Sequence, residues 1–168
     1  MSRGFTLLEL VITLIVLGAV LATAAPTFSA MVRDAQIKRF ASELHNYLIQ
    51  AKSEAVWRNQ SLWAHISLNT NPSRAGKWKL ILTDSVTPNA GNQLLILNGE
   101  AYRHIVLFSG YTSDQIKFDG TRGKVKDGHL KFYIEGQTSK VLRLKSAYAA
   151  SRIVICGEGG AWFGYPSC

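Results

Sequence analysis

Cysteine is scarce in this sequence, with two residues among 168. Two thiols are too few for a disulfide-dense scaffold or a four-thiolate zinc site. Charged residues make up only 18%, and acidic residues are the rarer kind, with 11 Asp and Glu against 19 Lys and Arg. Hydrophobic residues at 47% exclude a disordered chain, and the length suits one domain better than a multi-domain enzyme. The net charge of +8 is compatible with an anionic partner such as nucleic acid, a lipid head group or an acidic protein.

The sequence also lacks a catalytic or metal-binding pattern. Its four histidines are scattered, without a His-x-x-x-His pair or a cysteine at ligand spacing: His45, His65, His104 and His129. The run Gly157-Glu158-Gly159-Gly160 lacks the Lys-Ser/Thr of a phosphate-binding loop and predicts a tight turn. We therefore expect no enzyme activity, no cofactor and no metal site.

A long apolar run near the amino terminus is the strongest feature that is present. Residues 10–32 carry no charge, and at about 1.5 Å per residue a helix of this length spans a hydrocarbon core of roughly 30 Å. A signal peptide is one interpretation, because Ala22-Thr23-Ala24 has the small-x-small pattern of a cleavage site. A plain membrane anchor is another. Both leave Glu9 unexplained, since a carboxylate in hydrocarbon costs about 2.5–3.5 kcal/mol.

A third interpretation accounts for this acid. The motif Gly4-Phe5-Thr6-Leu7-Leu8-Glu9, followed by an apolar helix, resembles the type IV prepilin and pseudopilin family. The resemblance implies that a prepilin peptidase cleaves between Gly4 and Phe5 and that the new terminal Phe5 is N-methylated. Cleavage would place an α-ammonium on Phe5, four residues before Glu9 and on the same helical face. In the family, Phe5 and Glu9 would serve assembly, because the acid pairs with the terminal amine of a neighbouring pilin.

Beyond the apolar run, the helical pattern becomes amphipathic. Apolar residues recur at three- and four-residue spacing: Ile37, Phe40, Ala41, Leu44, Leu48, Ala51 and Ala55. The pattern predicts one helix over residues 5–57, with a kink or local melting near Pro26.

From residue 61 onward the apolar period changes to two, which predicts strands. The first strand covers Leu62, Ala64, Ile66 and Leu68, and turn-rich stretches separate seven more candidates: residues 77–83, 94–97, 104–108, 115–119, 129–134, 140–144 and 152–155. Strands at this spacing without intervening helices favour an antiparallel sheet. The expected fold class is α+β, with a long N-terminal helix packed on a small antiparallel β-sheet head.

Two internal segments narrow the resemblance to the GspH/FimT/FimU type of minor pilins and pseudopilins. They are Gln50-Ala51-Lys52-Ser53-Glu54-Ala55-Val56-Trp57-Arg58-Asn59 and Ile116-Lys117-Phe118-Asp119-Gly120-x-x-Gly123. The resemblance implies a cleaved leader at residues 1–4, a membrane and filament-core helix half at 5–32, and a periplasmic head at 33–168. The head comprises a helix half at 33–57 and a β-rich part at 61–168. The chain would lie in the inner membrane as a single-pass protein and then join a pilus at the cell surface.

The two cysteines lie at the carboxyl end. An exported head meets an oxidising compartment, which favours a Cys156–Cys168 disulfide over two free buried thiols. The bond would hold Trp162, Phe163 and Tyr165 against the domain.

Basic residues concentrate near the same end of the chain. Candidate DNA-binding residues fall on alternating strands and their turns: Lys124, Lys126, Lys131, Lys140, Arg143 and Lys145. The resemblance supplies a DNA-binding motif for FimT-like minor pilins, Gly-Arg-x-Arg after the final strand. Gly159-Gly160-Ala161-Trp162 occupies that place and lacks both arginines. Binding of double-stranded DNA would therefore depend on the basic face alone. The alternative is that this face keeps the chain soluble and contacts acidic neighbouring proteins.

Three functions remain open on these grounds. The first is a minor pilin that helps to initiate type IV pilus assembly at or near the tip. The two terminal cysteines favour this function, because a cysteine pair at this place resembles that of FimU-like minor pilins. The others are a DNA-binding minor pilin in natural transformation and an H-type minor pseudopilin of type II secretion.

Overall fold

The computed structural model describes residues 6–168, without the side chains of residues 23–27. Among these residues, one α-helix, α1, covers Leu7–Arg58, and two short 3-10 helices lie at Gly99–Tyr102 and Thr112–Asp114. The chain divides into two compact units, Met1–Ala35 and Gln36–Cys168. Gly4 and Phe5, the predicted cleavage site, lie outside the described residues.

Both ends of α1 follow from local hydrogen bonds. At the start, the Oγ1 atom of Thr6 accepts the Glu9 N–H at 3.3 Å, and the Thr6 carbonyl accepts the Leu10 N–H at 3.2 Å. The Thr6 side chain thus satisfies one of the backbone donors that a helix start leaves free, and the Thr6 carbonyl accepts the first intrahelical bond. At the end, Asn59 adopts the left-handed region with φ +50°, and the Gln60 N–H bonds back to Ala55 O at 3.1 Å. Such a residue closes the last turn and stops the helix.

Of the kink or local melting expected near Pro26, the melting is not found, because the backbone is helical on both sides of this residue and through it. A proline removes one backbone donor, and its cost of about 3 kcal/mol does not end a helix whose other turns keep their bonds. The prediction of local melting was therefore wrong for this chain.

Apolar side chains of the first unit are exposed around the helix. Leu7 is 84% exposed, Ile15 66% and Phe28 70%. Within residues 6–168, none of the helices combines the length and the apolar character that crossing a membrane requires.

The second unit buries one face of α1. All seven predicted face residues are completely buried: Ile37, Phe40, Ala41, Leu44, Leu48, Ala51 and Ala55. The ring centroid of Phe40 lies 5.2 Å from that of Trp78, 4.9 Å from that of Tyr102 and 4.9 Å from that of Phe132. The amphipathic prediction for this part of the helix is confirmed.

Nine strands form two antiparallel sheets around this helix face. They are β1 (Leu62–Leu68), β2 (Trp78–Thr83), β3 (Gln93–Asn98), β4 (Ile105–Ser109), β5 (Gln115–Asp119), β6 (Lys124–Val125), β7 (Gly128–Ile134), β8 (Val141–Ala147) and β9 (Arg152–Glu158). One sheet has five strands in the order β3-β2-β1-β5-β6, and the other has four in the order β4-β7-β8-β9. Because Trp78 belongs to β2 and Phe132 to β7, Phe40 contacts both sheets. The expected α+β class is confirmed.

All eight predicted strands are present, and the differences lie at their ends. Strand β8 continues to Ala147 because Ser146, although polar, points into the core and finds partners there. Its hydroxyl lies 2.7 Å from Tyr111 Oη and donates to Lys126 O at 2.5 Å. The two-residue strand β6 was not predicted, since so short a segment shows no period.

Replacing Phe40 by alanine should lower the free energy of unfolding by about 3–5 kcal/mol, because the cavity would lie where the helix meets both sheets. Denaturant unfolding of the full chain in detergent, followed by circular dichroism, measures this loss. Trp57, which is 80% exposed on the same helix, offers the aromatic control. Trp57→Ala should change the stability by less than about 0.5 kcal/mol, and equal losses in both variants would contradict the packing described.

Candidate functional site

Strands β7 and β8 present polar side chains on the side of the four-stranded sheet that faces away from the core. Leu130, Phe132, Leu142 and Leu144 alternate with them and are completely buried. The antiparallel register places Lys131 opposite Arg143 and His129 opposite Lys145. We call the surface formed by six outward residues the outer face: His129, Lys131, Tyr133, Arg143, Lys145 and Glu158. It brings together three of the predicted DNA-binding residues: Lys131, Arg143 and Lys145.

Glu158 lies at the centre of the charges on the outer face. Its Oε1 atom is 2.9 Å from Lys131 Nζ and 2.5 Å from one terminal nitrogen of Arg143. The side chains of Lys131, Arg143 and Glu158 are 29%, 24% and 36% exposed. The carboxylate therefore neutralises part of the positive charge that the sequence predicts for this face, whereas Lys145 stays exposed.

The same contacts shift two pKa values. Partial burial raises the pKa of Glu158, but the hydrogen bonds and charges of Lys131 and Arg143 outweigh burial and hold this pKa below its usual value. Burial lowers the pKa of His129, and the nearby charges of Arg143 and Lys131 lower it further against the opposing effect of Glu158. The outer face thus favours an ionised glutamate beside a neutral histidine.

The remaining predicted basic residues lie elsewhere. Lys124 belongs to β6 in the other sheet, and its Nζ atom lies 4.6 Å from the ring centroid of Tyr148. Lys126 donates to Thr112 O at 2.7 Å and contacts Ser113 Oγ at 3.2 Å. Lys140 is exposed, with Nζ 5.9 Å from the Phe163 ring centroid. Lys131, Arg143 and Lys145 therefore share the outer face, as their in-phase positions on the strands predict, whereas the other three candidate residues lie off it.

The predicted Cys156–Cys168 disulfide is confirmed. It holds the carboxyl terminus along β9, where the Gly157 N–H donates to Pro166 O at 2.7 Å and the Cys168 N–H donates to Gly157 O at 3.0 Å. Position 157 requires glycine, because a Cβ atom there would clash with the carbonyl oxygen of Gly160. Trp162, Phe163 and Tyr165 are half-buried and pack against the core.

Two histidines of this unit have hydrogen-bond partners that join parts of the fold. His45 Nε2 lies 3.2 Å from Ile153 O and joins α1 to β9. The buried His65 has Nε2 3.0 Å from both Thr83 Oγ1 and Ser85 O. Across the part of the chain that the structure describes, no group of three metal-ligating side chains occurs.

Sequence reasoning missed the role of Glu158. It treated this residue as part of a glycine-rich turn, whereas β9 continues through Glu158 and the turn begins at Gly159, with φ +76°. The available signal was an acid at the end of a strand in a region otherwise rich in basic residues.

Glu9, the predicted assembly residue, lies in the first turn of α1, where its carboxylate also complements the positive end of the helix dipole. The structure does not bear on the pairing expected between this residue and Phe5 of a neighbour, since Phe5 lies outside the described residues.

Two family models match the chain. The model described as "Type II transport protein GspH" matches residues 41–160, and the "Prokaryotic N-terminal methylation motif" matches residues 1–25. No curated protein matches in sequence.

Solved structures of low identity are similar to this chain, and those with a TM-score above 0.5 share its fold. The type IV minor pilin FimU of Pseudomonas aeruginosa is 18% identical, with a TM-score of 0.55 over 73% of this chain and 92% of that chain. A second crystal form of FimU gives 17% identity and a TM-score of 0.54 over 73% and 97%. The minor pseudopilin EpsH from the type 2 secretion system of Vibrio cholerae is 16% identical, with a TM-score of 0.48 over 73% and 97%.

Removing the Glu158 charge should weaken the chain only above acidic pH. A carboxyl group with a lowered pKa stabilises the folded state above its unfolded pKa, and this contribution disappears as the pH falls through the folded pKa. Glu158→Gln should therefore cost up to about 1 kcal/mol near about pH 7, because the pairs are partly exposed. The difference from the unmodified chain should shrink toward zero below about pH 4.

Thermal or denaturant unfolding at several pH values measures this difference. Glu135→Gln is the matched control, because Glu135 and its partner Arg74 are 49% and 65% exposed at a distance of 3.6 Å. The control should change stability little at any pH. A Glu158→Gln effect of the same size at neutral and acidic pH would show that the ion pairs do not stabilise the fold.

Proposed function

The chain belongs to the family described as type II transport protein GspH, and from this premise we propose that it is a minor pilin of a type IV pilus. Under this proposal a prepilin peptidase removes residues 1–4, and the first part of α1 anchors the subunit in the inner membrane. The subunit then enters the pilus at or near its tip, where it helps to initiate assembly with other pilins.

One observation carries the proposal: the apolar residues of α1 are buried in the second unit and exposed in the first. In the second unit, residues such as Phe40 and Leu44 are completely buried by the sheets of the same chain. In the first unit, Leu7, Ile15 and Leu21 are 84%, 66% and 60% exposed. Exposed apolar surface of this extent marks an interaction with a membrane or with other proteins. Lipid would cover this surface before assembly, and the helices of neighbouring subunits would cover it in the pilus.

The amino terminus supports processing and assembly. The match to the N-terminal methylation motif covers residues 1–25, including Gly4, Phe5 and Glu9. The cap supplied by Thr6 starts the helix without using the Glu9 carboxylate as an acceptor. We infer that this carboxylate pairs with the terminal ammonium of a neighbouring subunit. Buried ion pairs of this kind fix the relative position of chains more than they add stability.

An H-type minor pseudopilin of type II secretion is the second candidate, and the description of the matching family favours it. Both candidates would be processed in the same way and would use the same helix. A variant strain distinguishes them by which machine fails, the type IV pilus or the type II secretion system. DNA capture stays a prediction from the sequence, because Glu158 engages two of the candidate residues and three others lie off the outer face.

Glu9→Ala should leave the chain processed and in the membrane but reduce assembly by about tenfold or more, because losing one partner of a buried ion pair costs about 3–5 kcal/mol. Pilus number and type II secretion are measured in the same strains. Loss of pili supports the minor pilin, and loss of secretion with normal pili supports the pseudopilin. Glu100→Ala, which removes an exposed acid of the second unit, is the control. Normal pili and normal secretion in the Glu9→Ala strain would defeat both candidates.

A further inference from the structure

The two sheets present four edge strands, and these edges differ in how they are closed. The edges are β3 and β6 in the five-stranded sheet and β4 and β9 in the four-stranded sheet. An edge strand offers free backbone N–H and C=O groups to any other strand, so soluble proteins usually cover, shorten or charge it. An edge without such protection indicates a place where another strand adds.

Three of the four edges are covered over part of their length or are short. Along β9, the disulfide-bonded terminus exchanges backbone hydrogen bonds with Gly157. Along β4, Leu107 and Ser73 exchange two backbone hydrogen bonds of 2.7 and 3.0 Å, and the Asn71 side chain bonds both backbone groups of Ser109. The β6 edge is only two residues long and includes Lys124. Each of these edges has a structural feature that hinders pairing with a further strand.

The fourth edge, β3, is the least protected of the four within residues 6–168: its pairing with β2 shifts register between Leu82 and Thr83, but Leu95–Asn98 pair regularly and no other segment covers their free side. It is six residues long, reads Gln-Leu-Leu-Ile-Leu-Asn, and contains neither a charge nor a proline. Within residues 6–168, its one strand partner is β2. Ile96 is 55% exposed and lies opposite the half-buried Ile81 of β2, so two isoleucines sit side by side next to the open edge. The edge therefore combines free backbone groups with apolar side chains.

We propose that β3 is a docking edge at which a strand of a different subunit of the same fibre extends the five-stranded sheet. The proposal rests on the proposed function as a fibre subunit. At about 3.3 Å per residue, β3 accommodates a partner segment of about 20 Å. The partner strand is uncharged and places an apolar residue beside Ile96, since β3 offers no charge for a charged strand to meet.

Charge argues for a different subunit over a second copy. The full chain carries a net charge of +8, and only Arg3 of its charged residues lies in the leader that processing would remove, so pairing two mature copies edge to edge would still bring like charges together. A less basic subunit avoids this repulsion. The same basic character helps to keep isolated copies apart although β3 is open.

A photo-crosslinking residue at position 96 of the full-length chain, expressed in its own host, tests the proposal. Val86 is the control position, because it is 58% exposed and aliphatic but lies outside β3. After irradiation of purified fibres, peptide mass spectrometry identifies the adducts. We expect position 96, and not position 86, to crosslink to a strand of another fibre subunit. An adduct with a second copy of this chain, or no adduct in fibres that contain the chain, would overturn the proposal.

A charge on the edge gives the second readout. Ile96→Lys should lower the number of fibres about tenfold, which corresponds to about 1.4 kcal/mol, while Val86→Lys should leave it unchanged. Because Ile96 is exposed, the variant should keep its disulfide and its melting temperature. Normal fibre number in Ile96→Lys would overturn the docking edge. Absence of the unmodified chain from every fibre would instead reject the proposed function, so the two failures are distinguishable.

Discussion

The contact between Phe40 and both sheets is the interaction on which the rest of the second unit depends. One ring of α1 meets Trp78 of β2 and Phe132 of β7, so the five-stranded and four-stranded sheets share a core through the helix. This packing turns alternate residues of β7 and β8 outward, where Lys131, Arg143 and Glu158 meet. It also leaves β3 at the open edge of the larger sheet. The positions of the outer face and of the docking edge are consequences of one buried helix face.

The same helix connects this packing to function. Where α1 meets the sheets, its apolar residues are buried within the chain, and before that point they are exposed. A chain that completes only part of its own apolar burial needs lipid or other subunits to complete the rest. Membership of the GspH family fits such a subunit. Because the β4 and β9 edges are partly covered and β6 is short, the proposed strand pairing would occur at β3, and the chain would meet its neighbours through two surfaces of different character.

Much of the fold could be predicted because its patterns are local. The three- and four-residue spacing from Ile37 to Ala55 and the alternation in β1 each report which side chains are buried. The outer face was less predictable, because the pairing of Glu158 with Lys131 and Arg143 depends on the register of β7, β8 and β9. The end of β8 was missed because Ser146 is a polar residue at a core position, where its hydroxyl is hydrogen-bonded. Pro26 led to the opposite error: local melting was predicted there, but a helix can continue through a residue that lowers its stability.

The mature amino terminus tests the central claim most directly. Peptide mass spectrometry of the chain recovered from the cell envelope of its own host reads the terminal residue and its modification in one measurement. We expect a first residue Phe5 carrying one added methyl group, with residues 1–4 absent. A chain that begins at Met1 would show that no processing occurs, and a chain that begins at Ala25 would show that the apolar run is an ordinary signal peptide. Either result would contradict the assignment to a fibre.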